Sequence, residues 1–380
     1  MEAQKITSDL PDLYEALLPD FMRSMVPRET FATCHECPKC LKKDRQPLPG
    51  MSYFQPETKC CSYHPTLPNY LVGSLLIDTQ PGWEEGRRRL RDKIDKRIGV
   101  TPRGINPPAK YRLLYDRRES TTRGNGRSLL CPYFHQESGG CTVWPIREAA
   151  CSTYFCHSVT GKPGTAFWES LGSYLSEVEE ALVSYVLLQL NCDPEAIFPP
   201  SEDGDDLLSS DDMDDLPPSE EDYKKLWGEL VGKEEQFYQE AHRIVTRLKP
   251  EEFDKLGGVK QQVHLGVMEK KRREMLNPDL PNRLRFDTDI HQQPMPHGAA
   301  MLIKNGVPLK LSREQLEILA LFDGERNNDE VRQAWNIYRN DHLEAELIIN
   351  LFNHEILVPV AEAEEVTHDS PRGSAGIPTQ

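Results

Sequence analysis

Nine of the chain's ten cysteines fall between residues 34 and 156: Cys34, Cys37, Cys40, Cys60, Cys61, Cys131, Cys141, Cys151 and Cys156. The tenth, Cys192, stands apart. Cysteines used as small apolar core residues would not crowd in this way. The amino terminus, "MEAQKITSDLPDLYEALLPD", has neither the basic nor the apolar region of a secretory signal. No run of about 18 apolar residues predicts a membrane span. The expected setting is therefore cytoplasmic. There thiols stay reduced, and closely spaced cysteines serve metals or catalysis rather than disulfides.

Two cysteine groups are present. The first reads "CHECPKC" from Cys34 to Cys40, followed after nineteen residues by the Cys60–Cys61 pair. A C-x2-C step lets two sulfurs reach one ion while the turn between them aims backbone N–H groups at sulfur. Cys34–Cys37 and Cys37–Cys40 are two such overlapping steps. Adjacent side chains often diverge, so Cys60 and Cys61 either serve different ions or supply one ligand between them. The second group is "CPYFHQESGGCTVWPIREAACSTYFC", Cys131 to Cys156, with gaps of nine, nine and four residues. Gly139–Gly140 predicts a turn just before Cys141. Each group is half a site, and metal is expected to close the fold.

Thiolates suit zinc, iron–sulfur clusters or copper(I). Eight or nine of them exceed one tetrahedral zinc site, which favours an iron–sulfur cluster (4Fe–4S); two zinc sites fit the count as well. His35, His64, His135 and His157 stand near cysteines and are read as surface or outer-sphere residues rather than ligands. Cys192 is read as a small apolar residue. Thiols held on metal are poor nucleophiles, and nothing singles out a Cys–His catalytic pair. Arg147 either donates hydrogen bonds to sulfur or a nearby carboxylate, tuning the metal, or forms an ion pair with Glu148 or Glu137.

The second group, with its "CP" opening and its C-x9-C-x4-C close, resembles the YkgJ-type cysteine-cluster family of zinc- or iron-chelating domains. Trp144 stands at that family's aromatic position, Arg147 at its arginine and Pro132 at its proline; Ala149 and Phe155 replace two positions that are often proline. The family's remaining cysteines read C-x2-C-x2-C-C, a pattern split here. The resemblance covers residues 31–157 and, more loosely, the helix to residue 192. It implies a bound zinc or iron. A related branch includes flagellin lysine methylases, which implies a second possibility: an S-adenosylmethionine-dependent enzyme that modifies a protein or peptide. The chain lacks the C-x3-C-x2-C spacing of radical S-adenosylmethionine enzymes, a G-x-G-x-x-G loop after a strand, and the C-x3-C-P close of bacterial ferredoxins.

The expected fold class is α+β and mostly helical, with an irregular metal-stapled cysteine domain, helices, and a small winged-helix-like domain. Residues 1–30 read as a lead-in. Residues 31–192 read as the cysteine domain and its covering helix. On that helix Trp168, Leu171, Leu175, Val178, Leu182, Tyr185 and Leu188 recur at steps of three and four. Residues 199–222 hold eleven acidic side chains and no basic one, and read as a disordered linker. Residues 223–280 read as helical, with Ser219 capping through Asp222 and "LGG" interrupting at residues 256–258. Residues 285–361 carry a hairpin around Asn305–Gly306, three helices, the first with a Ser312–Gln315 capping box, and a closing strand. This unit resembles the PqqD-like winged-helix family, which implies recognition of a protein or peptide partner. Residues 362–380 read as a disordered tail.

The formal charge is −16, but residues 87–127 carry fourteen Arg and Lys against four Asp and Glu. That basic block, with the helix-like "WEEGRRRLRDKIDKRIG", is expected to be partly neutralised by the acidic segment. Few aromatics interleave it, few cations sit on the last helices, and the sequence pI is about 5.2, so nucleic acid is not an expected partner.

Overall fold

The computed structural model describes residues 2–30, 34, 37–41, 46–48, 51–119, 122–193 and 209–360. The class is α+β: about half the chain is helical, with small antiparallel sheets. Two units divide it, residues 1–279 with 302–309, and residues 280–301 with 310–380. Among the described residues no helix is long and apolar enough to cross a membrane.

In the first unit, strands β1 (Ala3–Lys5) and β2 (Met25–Pro27) pair antiparallel around helix α1 (Leu13–Leu17). β3 (Leu67–Pro68) leads into α2 (Asn69–Ile77), which is followed by α3 (Glu84–Lys96). β4 (Val100–Thr101) and β5 (Gly104–Ile105) complete a sheet of order β3–β5–β4, and α4 (Ala109–Asp116) follows. β6 (Phe134–His135) and β7 (Gly140–Cys141) form a hairpin, then come α5 (Ala149–Thr153) and the long α6 (Gly161–Gln189). After the acidic stretch lie α7 (Ser210–Met213), α8 (Glu220–Trp227), α9 (Glu234–Arg247), α10 (Pro250–Phe253) and α11 (Gly258–Leu276).

Helix α2 is the centre of the core. Tyr70, Leu71, Val72, Leu75 and Leu76 are all buried, so it is apolar on every side and must be wrapped. Burying each such side chain stabilises the fold by roughly 1.5–3 kcal/mol. α9 crosses it at Gly73, where an added Cβ would lie 1.8 Å from the Tyr238 carbonyl oxygen. α6 buries Phe167, Trp168, Leu171, Leu175, Val178 and Leu182 and is flanked by α5 and α11. The periodicity read from sequence holds through Leu182 but not to Leu188, which is 63% exposed. Two consecutive steps of three fall behind the true 3.6-residue period and rotate the last residue off the face.

Two further expectations change. The helix expected after Ser219 is broken, because Gly228 (φ 53°) and Gly232 (φ 81°) turn the chain between α8 and α9. Of the expected linker, residues 199–208 lie outside the described residues. From Ser209 onward the chain has local order instead: Ser209 and Asp212 form a capping box on α7, and the Ser219 side chain accepts from Asp222 N at 3.1 Å. The tail from residue 362 lies outside the described residues.

In the second unit, β8 (Arg283–Phe286) is the middle strand of a sheet of order β12–β8–β13, with β12 (Asp323–Asn327) and β13 (Leu357–Pro359). Strands β9 (His291–Pro294), β10 (Ala300–Lys304) and β11 (Val307–Leu311) follow β8 in the chain, and residues 302–309 of the β10–β11 hairpin belong to the first unit. The hairpin turns at Asn305 (φ 51°) and Gly306 (φ 72°), as that pair predicts. Helices α12 (Arg313–Leu319), α13 (Asn328–Arg339) and α14 (Ala345–Asn353) follow, and Ser312 with Gln315 forms the expected capping box. Between the first two of these helices, Asp323–Gly324 opens β12, a strand absent from the expected hairpin, three helices and closing strand.

Candidate metal centre

The two cysteine groups meet. Cys131 N donates to Cys61 O at 2.8 Å, joining the start of the second group to the end of the first. Within the first group, Cys40 N donates to Cys37 O at 3.2 Å, closing the turn predicted for a C-x2-C step. The β6–β7 hairpin sets Phe134 opposite Cys141 and so carries Cys141 back beside Cys131. Its turn needs Gly139, whose φ is 64° and whose added Cβ would lie 2.6 Å from Lys59 Nζ.

Cys151 is placed by a capped helix. Glu148 accepts from Ala150 N at 2.6 Å and from Cys151 N at 3.0 Å, satisfying orphan donors at the start of α5. Glu148 is buried, and burial pushes its carboxyl up. α5 packs on α6, which anchors this wall to the core. Nearby, buried Glu29 accepts from Ser158 Oγ at 2.8 Å, Val159 N at 2.7 Å and Trp168 Nε1 at 2.7 Å, fixing the loop that follows Cys156 onto α6.

The result is one cavity of about 240 Å³, lined by Cys34, Cys37, Cys60, Cys61, Cys131, Cys141, Cys151 and Cys156. Cys40, the ninth expected ligand, does not line it; its thiol faces Gln55 O at 4.0 Å. Arg147 does line it. All ten cysteines are free thiols. Cys192 is half-buried against the core, away from the cavity, as expected.

Three cations surround these thiols. Arg147 donates from its two terminal nitrogens to Cys151 O and Asp9 O, each at 3.1 Å, and lies 3.4 Å over the Trp144 ring. These two hydrogen bonds go to backbone carbonyls, while the guanidinium charge also acts on the Glu148 carboxyl and on Cys141 and Cys151. Lys59 Nζ donates to Cys34 O and Gly139 O, each at 2.6 Å, so it bridges the two cysteine groups. Arg123 lies 4.4 Å over the Tyr154 ring. Lys59 and Arg123 were not singled out from sequence; the only signal was Lys59 preceding Cys60.

The thiols are unequal. A hydrogen bond from Cys40, with backbone donors and Lys59 helping, brings Cys37 down to about 6. A bond from Cys61 likewise lowers Cys60, with Arg123 contributing. Burial pushes Cys34 up to about 11, and Cys131 and Cys156 up to about 12. Burial and the Glu148 carboxyl hold Cys151 far above the ordinary thiol range. Desolvation thus keeps most of the set protonated when nothing is bound.

Of the four histidines, His35 lies outside the described residues. His135 is half-buried, its Nδ1 2.9 Å from Ser138 Oγ. His157 is buried, and neither it nor His64 lines the cavity.

A metal can be tested against this donor set. In kind it fits: eight soft donors face one cavity, with cations placed to offset thiolate charge. Among the described residues, however, no group of three or more His, Cys, Asp or Glu side chains is spaced to hold an ion. No family model, curated protein or solved structure matches the chain.

Proposed function

We propose that this chain is a cysteine-cluster metal protein whose cavity thiols hold an iron–sulfur centre. One observation carries the reading: eight cysteines, drawn from two groups far apart in sequence, line a single cavity. Eight thiolates exceed what one tetrahedral zinc takes. The residues that would hold the centre are Cys34, Cys37, Cys60, Cys61, Cys131, Cys141, Cys151 and Cys156. A bound cluster supplies one-electron transfer. Lys59, Arg123 and Arg147 balance the thiolate charge, and Glu148 fixes the direction of Cys151. Thiols that burial keeps neutral would have to lose their protons to serve as ligands.

The second unit is proposed to be a winged-helix-like module that holds a protein or peptide partner. In support, α13 leaves Ile337 and Tyr338 exposed at 86% and 67%. Exposed large apolar side chains side by side mark interaction surfaces.

Anaerobic purification with metal and sulfide analysis tests the centre. Iron, acid-labile sulfide and a broad visible absorption are expected. All should be lost in Cys141→Ser and Cys151→Ser and kept in Cys192→Ser. A colourless, zinc-loaded protein would overturn the iron–sulfur assignment, and metal retained by Cys151→Ser would overturn the site.

A further inference from the structure

The cations of α3 and α4 take little part in the cysteine cavity, yet they line two neighbouring clefts. The first, of about 660 Å³, carries Arg88, Lys93, Lys96, Lys110 and Tyr111, together with Asp215 of the acidic segment. The second, of about 800 Å³, carries Arg97, Arg103 and Arg112, with Asp211, Asp212 and Asp222 of the same segment. Asp215 lines both.

The acidic segment therefore lies along a cationic surface of its own chain. Lys110 Nζ is 3.5 Å from Asp215 Oδ2, Arg97 is 2.6 Å from Glu220 Oε1, and α7 packs on α4. Deeper in the first cleft, Lys93 Nζ stands 3.1 Å from His64 Nε2. The His64 Nδ1 faces Pro65 O at 3.0 Å, which leaves Nε2 to accept from the ammonium.

This cover is weakly held. Every residue from Ser209 to Asp222 is exposed. Ion pairs in solvent contribute only about 0–1 kcal/mol each, and salt screens them. No large side chain of the segment is buried to lock it down. A competing acidic ligand can exchange with such a strap, against the advantage that tethering gives the strap.

We propose that this cationic surface docks an acidic polypeptide segment of a partner protein, and that residues 209–222 occupy it in the isolated chain. The occupant present is itself an acidic peptide, so the clefts already accommodate aspartates on a polypeptide backbone. Single-stranded nucleic acid would want stacking aromatics. The first cleft has only Tyr111 and the fully buried Tyr133 to offer. A long polyanion would also run past the local patch and meet a chain of net charge −16.

The test uses the full chain and a fluorescein-labelled peptide of residues 209–222, SSDDMDDLPPSEED, read by fluorescence anisotropy. The cover is neutralised with Asp211→Asn, Asp212→Asn, Asp214→Asn, Asp215→Asn and Glu220→Gln together, all at exposed positions. The neutralised chain should bind the peptide at least tenfold more tightly than the natural chain. Raising the salt should weaken that binding, and adding Lys96→Glu with Lys110→Glu should abolish it. Circular dichroism melting of each variant confirms folding, and salt dependence of the natural chain's own weaker binding gives a second reading without any substitution. Equal affinity of the natural and neutralised chains overturns the proposal, as does binding by neither. Tighter binding of a fourteen-nucleotide single-stranded DNA than of the peptide overturns it too, reassigning the surface to nucleic acid.

Discussion

The Arg147 guanidinium lies 3.4 Å over the Trp144 ring while its two terminal nitrogens bond carbonyls at Cys151 and Asp9. One planar group thus joins the amino-terminal segment to the helix that carries a candidate ligand. A lysine keeps the charge but not the planar fork. Arg147→Lys should lower stability by about 1–3 kcal/mol, since a buried carbonyl loses its donor and the stacking geometry is lost. Anaerobic urea unfolding measures this. An unchanged midpoint would mean that the fork holds nothing together. Trp144→Leu, which removes only the ring beneath the cation, should cost less, about 0.5–2 kcal/mol.

Gly73 makes a prediction about the core. An added Cβ there would meet the Tyr238 carbonyl oxygen at 1.8 Å and its carbon at 2.5 Å, both backbone atoms that cannot rotate away. Gly73→Ala must therefore push α9 off α2. A loss of about 3 kcal/mol or more is expected, at the upper end for overpacking. Gly266→Ala, on α11 with open space around it, should be neutral or slightly stabilising through helix propensity. Thermal melts of the two variants side by side decide it; similar melting temperatures would contradict the close crossing.

Glu179 on α6 is buried and accepts from the Tyr14 hydroxyl at 3.3 Å. Burial first, and then the Glu148 carboxyl, push its pKa well above the ordinary carboxylate value. The folded chain therefore holds this proton more tightly than the unfolded chain does. Stability from that source is fully present below the ordinary carboxylate range and is lost as pH rises through the raised value. Glu179→Gln removes the dependence. The stability of the glutamine variant relative to the natural chain should rise as pH increases above the ordinary carboxylate range, by up to ~1.4 kcal/mol per unit where the group titrates. Urea midpoints at several pH values measure the difference, and a constant offset between the two chains would refute the assignment.

His64 titrates in the opposite sense. Burial, then the Lys93 ammonium, bring it down to about 3. In the unfolded chain it takes a proton near pH 6.5. Stability is therefore lost progressively as pH falls from about 6.5 toward 3. Proton NMR should show the His64 ring signals unshifted from pH 8 to pH 5. A His64 midpoint near 6.5 would place the ring in solvent.

What sequence made legible here follows from the range of each interaction. The face of α6 from Trp168 to Leu182, the turn at Asn305–Gly306 and the Ser312–Gln315 cap depend on neighbours within a few residues, and each is found where expected. The two-residue sheet of β3, β4 and β5 carries no periodicity to read. β12, with the polar sequence Asp323 to Asn327, is a strand because β8 pairs with it, not because its residues favour one. In the site, the cysteines announced themselves by crowding. Lys59 and Arg123 did not, because a cation's role beside a thiol is set by where the fold brings it. The acidic segment looked unstructured because its composition is that of a solvated chain; its partners in α3 and α4 lie about a hundred residues earlier.

The hydrogen bond from Cys131 N to Cys61 O also sets an order of events during synthesis. Cys61 leaves the ribosome seventy residues before Cys131. At roughly 5–20 residues per second, Cys61 waits on the order of 4–14 s for Cys131, and the four cysteines before it wait longer. During that interval they are thiols without a cavity, open to oxidation and to whatever soft ion reaches them first. A cell making this chain must therefore keep those first thiols reduced, or shielded, until the strand that completes them has emerged.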